Sequence, residues 1–246
     1  MVSSGKLTSV HIHYDAGWKN LVTLRGDGGP FNWEQGRACH FDEEKVWHFT
    51  WEMEEESLSF KPLINDERWS IGANFHIRRG ETRNIYPFFH DDQGRLETVH
   101  HFDTPISIYL PPGYNENPSR RYPVCYIHDG QNLFDPQTAF MGQIWGLHET
   151  ITKLVRSGLM EPVIAVGIYN RGAARIHDYT PSFDPNFGNE GAGGGAESYA
   201  ELVVEEIKPF IDLKYRTRTD PKDTGLLGSH YSTSRPADLP TISLVQ

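Results

Sequence analysis

Residues 121–135 read RYPVCYIHDGQNLFD, and the segment from Tyr122 to Ile127 is a near-continuous apolar run. A second apolar run extends from Pro162 to Ile168, and a third, from Ile106 to Leu110, ends at a Pro-Pro-Gly turn. Strands that are apolar at successive positions are typical of a mostly parallel sheet covered on both faces. These runs therefore predict the central strands of an α/β domain.

The segments between and after these runs have helical periodicity. Apolar residues recur at helix spacing in residues 147–155 and again in residues 199–211, where Pro209 predicts a kink. A last short strand is predicted from Thr224 to Leu227. Strands that alternate with helices indicate an α/β fold.

Residues 8–98, upstream of this domain, have the pattern of short strands. The stretch from Val46 to Met53 alternates apolar and polar residues, which is the period-two pattern of a half-buried strand. A turn-forming cluster, GDGGP at 26–30, separates earlier strand candidates from later ones. Short and regularly spaced strands predict a small all-β, immunoglobulin-like sandwich of about 90 residues.

The α/β part resembles the family of α/β-hydrolase esterases that includes esterase D, enterochelin esterases and feruloyl esterases. The resemblance extends from Asp103 to Ser229. It rests on these motifs: YLPPGY at 109–114, the stretch 121–135, WG at 145–146, PVIAVG at 162–167, Arg175, DYTP at 178–181 and residues 197–215. It implies hydrolysis of carboxylic esters through an acyl-serine intermediate, with a small-molecule ester as substrate and no cofactor.

In this fold, the loop after an early strand supplies one backbone N–H to the oxyanion hole. The resemblance assigns that role to the loop from His128 to Asn132, with the backbone of Gly130 or Gln131 as the donor. A glycine there lets the chain approach a substrate closely. The alternative is that Gly130 only serves a tight turn.

The nucleophile elbow of the family reads Gly-Ser-Ser-x-Gly-Gly, and its second serine attacks the ester. This chain reads Gly228-Ser229-His230, so His230 stands at the position of the nucleophile and no catalytic serine is intact. No histidine follows His230, and residues 231–246 do not resemble the family. These departures predict an inactive chain whose C-terminus was altered by a frameshift, a splice event or a gene-model error. A genuine shortened form is the alternative.

The sandwich region resembles starch-binding and related carbohydrate-binding modules, beginning with LVTLRGDGGPFNWEQG at residues 21–36. In such modules two tryptophans form a platform for sugar rings, aided by a lysine and an asparagine. The matching residues here are Trp33, Trp69, Lys61 and Asn74. Flat aromatic faces complement the apolar face of a pyranose. The alternative is that both tryptophans are ordinary packing residues.

The composition narrows the classes of partner. The formal net charge is −10, from 33 acidic and 23 basic residues, so no basic face is implied for nucleic acid or an anionic membrane. The scattered histidines do not converge on a metal site, and Cys39 and Cys125 lie in different predicted domains, which argues against a disulfide framework. No apolar segment resembles a signal peptide or reaches the ~20 residues of a membrane helix. We therefore expect a cytoplasmic protein.

Three segments are predicted: a carbohydrate-binding-like sandwich at 1–98, the first part of an α/β-hydrolase domain at 99–230, and a non-native tail at 231–246. The expected lineage is that of carboxylic-ester hydrolases. The alternative is a non-catalytic protein that binds an α-glucan. The acyl and alcohol parts of the substrate and the oligomeric state stay open.

Overall fold

The computed structural model describes residues 5–42, 45–91, 93–188 and 190–228. The chain divides into two units. The first unit comprises residues 1–95, 111–120 and 149–162. The second unit comprises residues 96–110, 121–148 and 163–246.

Two sheets make up the described part of the first unit. Their strands are β1 (Lys6–Ile12), β2 (Val22–Gly26), β3 (Arg37–Ala38), β4 (His40–Phe41), β5 (Trp47–Met53), β6 (Ser57–Ile64), β7 (Arg68–Trp69), β8 (Phe75–Arg78) and β9 (Thr82–Ile85). One sheet has the order β4-β5-β1-β9, and the other has the order β3-β2-β6-β7, with β8 also paired to β6. Strand β1 runs antiparallel to β5 and parallel to β9.

The two sheets of the first unit share one hydrophobic core. In β5 the predicted alternation is confirmed at Trp47, Trp51 and Met53, which are buried, whereas Phe49 is only half-buried, like its polar neighbour His48. Phe60 of β6, in the other sheet, belongs to the same cluster of buried side chains. Two sheets that bury their inner faces against each other form a sandwich.

The segment 111–120 follows the sandwich strands in sequence but belongs to the first unit. The carboxylate of Glu116 accepts hydrogen bonds from the backbone N–H groups of Phe89, His90 and Asp91, at 2.6, 2.6 and 2.9 Å. These bonds satisfy three donors in a stretch without regular secondary structure, and they tie the segment to the chain that follows β9.

The segment 149–162 also belongs to the first unit and contains most of helix α1 (Leu147–Arg156). Gly158, with a φ of +66°, closes the last turn of α1 in the left-handed conformation that glycine adopts at helix ends. The N–H of Ala73 donates to the carbonyl of Arg156 at 2.8 Å, and the guanidinium of Arg83 donates to the carbonyl of Gly158 at 2.9 Å. The C-terminal end of α1 is therefore joined to the sandwich.

A five-stranded sheet forms the centre of the second unit. The elements of this unit are β10 (Arg95–His101), β11 (Thr104–Leu110), β12 (Val124–His128), β13 (Ile164–Ile168), α2 (Arg175–Tyr179), β14 (Phe183–Asp184), β15 (Ala192–Gly193), α3 (Ala196–Glu201), α4 (Lys208–Lys214) and β16 (Thr224–Leu227). The strand order is β10-β11-β13-β12-β16. Strand β12 runs parallel to β13 and β16, whereas β11 runs antiparallel to β13.

The predicted central strands are confirmed by their burial, since every residue of β13 is buried. Because β12 and β16 are parallel neighbours, their carboxyl ends lie at the same edge of the sheet. The start of the loop after β12 and Gly228, which follows β16, are therefore neighbours. No helix in the described part of the chain has the length and apolarity needed to cross a membrane.

The helix around Pro209, where a kink is predicted, changes its hydrogen-bond pattern before the proline. A π-helical turn from Leu202 to Ile207 joins α3 to α4, and Pro209 lies in the first turn of α4. Proline has no N–H for the carbonyl of Glu205, and its ring crowds that carbonyl. A widened turn ahead of the proline accommodates both effects.

Candidate functional site

The loop after β12 begins at Asp129 and makes a tight turn. Asp129 has a φ of +56°, in the left-handed region that aspartate tolerates better than most residues. A 3₁₀ turn from Gly130 to Asn132 follows, and the N–H of Asn132 donates to the carbonyl of Asp129 at 2.9 Å. The positive φ therefore falls on Asp129, and the glycine at 130 is required for another reason.

Gly130 packs directly against strand β13. A Cβ added at Gly130 would lie 2.2 Å from the carbonyl carbon and oxygen of Gly167, and one added at Gly167 would lie 2.9 Å from the Cα of Gly130. The hydroxyl of Ser107 on β11 donates to the carbonyl of Gly130 at 3.2 Å. Two glycines thus let the loop backbone touch the sheet, and this contact sets the depth at which the loop lies.

The carboxylate of Asp129 is held by an arginine fork. Arg175 donates from Nε to Oδ1 at 2.8 Å and from Nη2 to Oδ2 at 2.6 Å, and Asn170 donates from Nδ2 to Oδ1 at 2.7 Å. Burial alone would raise the pKa of Asp129, but the bonds from Arg175 and Asn170 outweigh it, and the pKa lies below its ordinary value of 3.8. Asp129 is therefore an anchored carboxylate rather than an acid or base.

Gln131 is held through both its side chain and its backbone carbonyl. Its side-chain Oε1 accepts the N–H of Asn170 at 3.2 Å, and its carbonyl accepts the hydroxyl of Thr138 at 2.8 Å. The backbone N–H groups of Gly130 and Gln131 have no hydrogen-bond acceptor among the residues that the structure describes. Two backbone donors at the carboxyl end of β12 are therefore without an acceptor within the described part of the chain.

His128, the last residue of β12, lies among aromatic rings. Its Nδ1 is 2.9 Å from the hydroxyl oxygen of Tyr199, and its ring centroid is 5.0 Å from that of Tyr179. Burial lowers the pKa of His128 below 6.5; the charge of Asp129 raises it and that of Arg175 lowers it by smaller amounts. The imidazole is therefore neutral at neutral pH. Burial also raises the pKa of Tyr179, to about 12, so this phenol stays protonated.

Sequence reasoning missed this ring cluster. In the sequence, Tyr199 indicates only the apolar face of a helix, and Tyr179 only belongs to the DYTP motif. The one available signal was the position of His128 at the junction of a buried strand and a glycine-containing loop.

Gly228 follows β16 and adjoins the ring cluster. A Cβ added at Gly228 would lie 2.7 Å from Cδ2 of His128. The first residue of the predicted elbow thus lies beside the last residue of β12. The other two elbow positions, Ser229 and His230, lie outside the described residues.

The first unit brings the two predicted platform tryptophans together. The ring centroids of Trp33 and Trp69 are 6.3 Å apart, with an angle of 32° between the ring planes. The two residues are 39% and 40% exposed. Lys61 lies on β6 of the same sheet, and its Nζ donates to the carbonyl of Gly72 at 2.6 Å.

The fourth predicted platform residue, Asn74, lies between β7 and β8, and no bond or ring contact recorded for the described residues joins it to either tryptophan. Arg25, which sequence reasoning did not assign to the site, lies under the ring of Trp69. Within the described ranges, no group of three or more His, Cys, Asp or Glu side chains is arranged to hold a metal ion.

Comparison with known proteins identifies the second half of the chain. The family model described as Putative esterase matches residues 100–232, just over half of the chain. The curated endo-1,4-beta-xylanase/feruloyl esterase of Xylanibacter ruminicola is 24% identical over 155 residues, which cover 62% of this chain and 18% of that protein.

Two solved structures are also similar. The BES protein from Bacillus cereus is 26% identical, with a TM-score of 0.41, over 56% of this chain and 51% of that chain. A ferulic acid esterase is 23% identical, with a TM-score of 0.38, over 55% of this chain and 49% of that chain. This chain thus spans about half the length of these structures and less than a fifth of the curated relative. Because the family model matches residues 100–232, more than half of the chain, this chain belongs to the putative esterase family.

Proposed function

We propose that the second unit carries the oxyanion-binding part of a carboxylic-ester hydrolase that acts on a small-molecule ester. The observation that carries the proposal is the pair of backbone N–H groups of Gly130 and Gln131, which have no acceptor among the described residues. Membership of the esterase family supports the assignment. The reaction class, acyl transfer through a serine, requires no cofactor.

The geometry suits such a role because the donors are held before any substrate arrives. The loop is fixed by the fork between Asp129 and Arg175 and by the contact of Gly130 with Gly167. Fixed donors stabilise the developing oxyanion without a cost of reorganisation. Gly228, the first residue of the predicted elbow, adjoins the same strand end.

We also propose that this chain does not itself hydrolyse esters, because His230 stands where the family has its attacking serine. We expect no hydrolysis of p-nitrophenyl acetate above that of a control protein. Turnover that survives purification and is abolished by a serine-directed phosphonate would contradict this part of the proposal.

The donor pair has a test that does not depend on turnover. A carboxylate such as acetate, the product of ester hydrolysis, should shift the amide NMR resonances of Gly130 and Gln131 as it is titrated into the full chain. The amide of Gly80, in the sandwich, serves as the internal control and should not move. Unchanged resonances of Gly130 and Gln131 at saturating acetate would contradict the assignment.

A second function is favoured by the tryptophan pair. Two neighbouring indoles that are each about two-fifths exposed match the surface expected of a shallow α-glucan site. Titration calorimetry of the full chain with maltoheptaose should detect weak binding, with a dissociation constant on the order of micromolar to millimolar, because such a surface buries little area. Trp69→Ala should weaken it by roughly 1 to 3 kcal/mol, and His11→Ala, on the other sheet, should not. No heat at millimolar ligand would leave both tryptophans as packing residues.

A further inference from the structure

One arginine contacts both segments that carry the tryptophan pair. Arg25 lies on β2, and its Nη1 donates to the backbone carbonyl of Trp33 at 3.2 Å. Its guanidinium carbon is 5.3 Å from the ring centroid of Trp69. Guanidinium groups stack favourably on indole faces. Arg25 is therefore bonded to the chain at one tryptophan and packed on the ring of the other.

The orientation of this guanidinium is set by Asp66. Arg25 donates from Nε to Oδ1 of Asp66 at 2.8 Å and from Nη2 to the backbone carbonyl of Asp66 at 3.0 Å. With the bond to Trp33, three nitrogens of the guanidinium each have an acceptor. A planar fork bound at three nitrogens has no remaining rotational freedom.

Asp66 also holds the loop that follows Trp33. A Cβ added at Gly36 would lie 2.2 Å from Oδ1 of Asp66 and 2.7 Å from Oγ1 of Thr23, so the loop passes directly over the carboxylate. The bond from Arg25 lowers the pKa of Asp66 below its ordinary value; burial opposes this by a smaller amount, and the backbone of Gly36 lowers the pKa further. The carboxylate thus binds the arginine and the loop of Trp33 together.

Neither tryptophan is held by a long strand. Trp33 lies in the connection between β2 and β3, and Trp69 ends the two-residue strand β7. Their rings are partly exposed, so packing alone restrains them weakly. The residues that join the two segments must therefore set the distance between the rings.

We infer that Arg25, held by Asp66, is the positioning residue that sets the spacing and tilt of Trp33 and Trp69. Its consequence for ligand affinity rests on the proposed glucan binding, whereas the ring spacing is a property of the free protein. A sugar platform that is ordered before binding loses less entropy when the ligand arrives. Lysine at position 25 would keep the charge but cannot bond Asp66 and Trp33 in one plane.

The experiment uses the full chain and two readouts. The first is the exciton signal that the two coupled indoles give in circular dichroism, called the pair signal below. It is identified as the signal that disappears in both Trp33→Phe and Trp69→Phe. The second is the affinity for maltoheptaose by calorimetry. The test variant is Arg25→Lys. The matched control is Arg78→Lys, an exposed arginine on β8.

We expect Arg25→Lys to lose most of the pair signal and to bind maltoheptaose about tenfold more weakly, which corresponds to about 1.4 kcal/mol. Arg78→Lys should keep both. Asp66→Asn, which keeps the size and the left-handed preference of the residue, should lower the pair signal partly, and it replaces Arg25→Lys if that variant does not fold.

A parent-like pair signal in Arg25→Lys would overturn the positioning role. A lost pair signal with parent affinity would support the positioning role and overturn its consequence for binding. If the parent binds no maltoheptaose, the glucan proposal fails, and the pair signal alone decides the role of Arg25.

Discussion

Two arginine–aspartate pairs hold the two candidate sites, and they differ in burial. The pair at the tryptophans, Arg25 and Asp66, has side chains that are 17% and 30% exposed. In the pair at the loop after β12, Arg175 is 25% exposed and Asp129 only 4%. Both aspartates have left-handed backbones, with φ values of +58° and +56°. The two arginines are thus similarly buried, and the difference lies in the aspartate, which is partly exposed at the tryptophans and buried at the loop after β12.

The difference in burial predicts a difference in what each pair does. A surface ion pair contributes little to stability because water solvates both charges when the pair breaks. A buried carboxylate that loses its partner keeps an uncompensated charge, and this is strongly destabilising. We therefore expect the pair at the tryptophans to orient side chains, and the pair at the loop to support the fold of the second unit.

The largest expected effect follows from breaking the buried pair. Arg175→Ala should lower the free energy of unfolding of the second unit by about 3 to 5 kcal/mol, since Asp129 is left charged and buried. Chemical denaturation of the full chain measures this, with Arg25→Ala as the matched variant in the first unit. The comparison fails if Arg25→Ala destabilises its unit as much as Arg175→Ala destabilises the other.

The next effect concerns the glycines that let each loop approach its support. Gly130→Ala would place a Cβ 2.2 Å from the backbone of Gly167, and we expect a loss of about 1 to 3 kcal/mol, because a sheet backbone cannot shift aside. Gly36→Ala meets the side chains of Asp66 and Thr23 instead, which can move, so its effect should be smaller.

Gly225→Ala on β16 is the control for both glycine variants, since its nearest neighbours are 4.0 Å away and it should be close to neutral. All three are measured by thermal unfolding. An equal loss in Gly130→Ala and Gly225→Ala would remove the close contact with β13 as the reason for the glycine.

A smaller effect is expected where a carboxylate is bound by backbone donors instead of by an arginine. Glu116→Gln keeps one oxygen acceptor but loses the charge that strengthens the bonds from Phe89, His90 and Asp91. We expect a loss of about 1 kcal/mol in the first unit and none in the second. Hydrogen exchange of these three amides measures the effect at the bonds themselves, and it should become faster in Glu116→Gln. Unchanged exchange rates would contradict this prediction.

The smallest effect is a dependence on acid. The pKa of Asp129 and that of Asp66 both lie below the ordinary value of 3.8, so each pair stabilises the fold above that pH and loses its contribution as the pH falls below it. Asp129→Asn and Asp66→Asn should each flatten the fall in stability at acidic pH. The flattening should be greater for Asp129→Asn, and urea titrations over that range would contradict the comparison if the order were reversed.

Local periodicity made the elements of the fold predictable. The alternation of β5 and the continuous apolar run of β13 each report which faces of a strand are buried, and β16 was predicted from Thr224 to Leu227 as it is found. The pairing of Trp33 with Trp69 was expected from resemblance, and the two rings are neighbours. The predicted segment boundaries and the roles of the site residues stay predictions.

Long-range contacts were not predictable from local pattern. Asp66 is 41 residues from Arg25 and Asp129 is 46 residues from Arg175, and although Asp129 and Arg175 lie in motifs of the family, nothing in the local sequence indicates that either arginine meets its aspartate. Likewise, nothing in the residues around Glu116 indicates that they bond the chain after β9.

The sequence by itself determined which residues form strands and helices and which face of each is apolar, because these depend on side chains a few positions apart. Only the tertiary structure decided why Gly130 must be glycine, which arginine meets which aspartate, and how two tryptophans come to share one surface. These depend on the order and register in which distant strands pair, and register is set by the burial of the whole sheet rather than by any one segment.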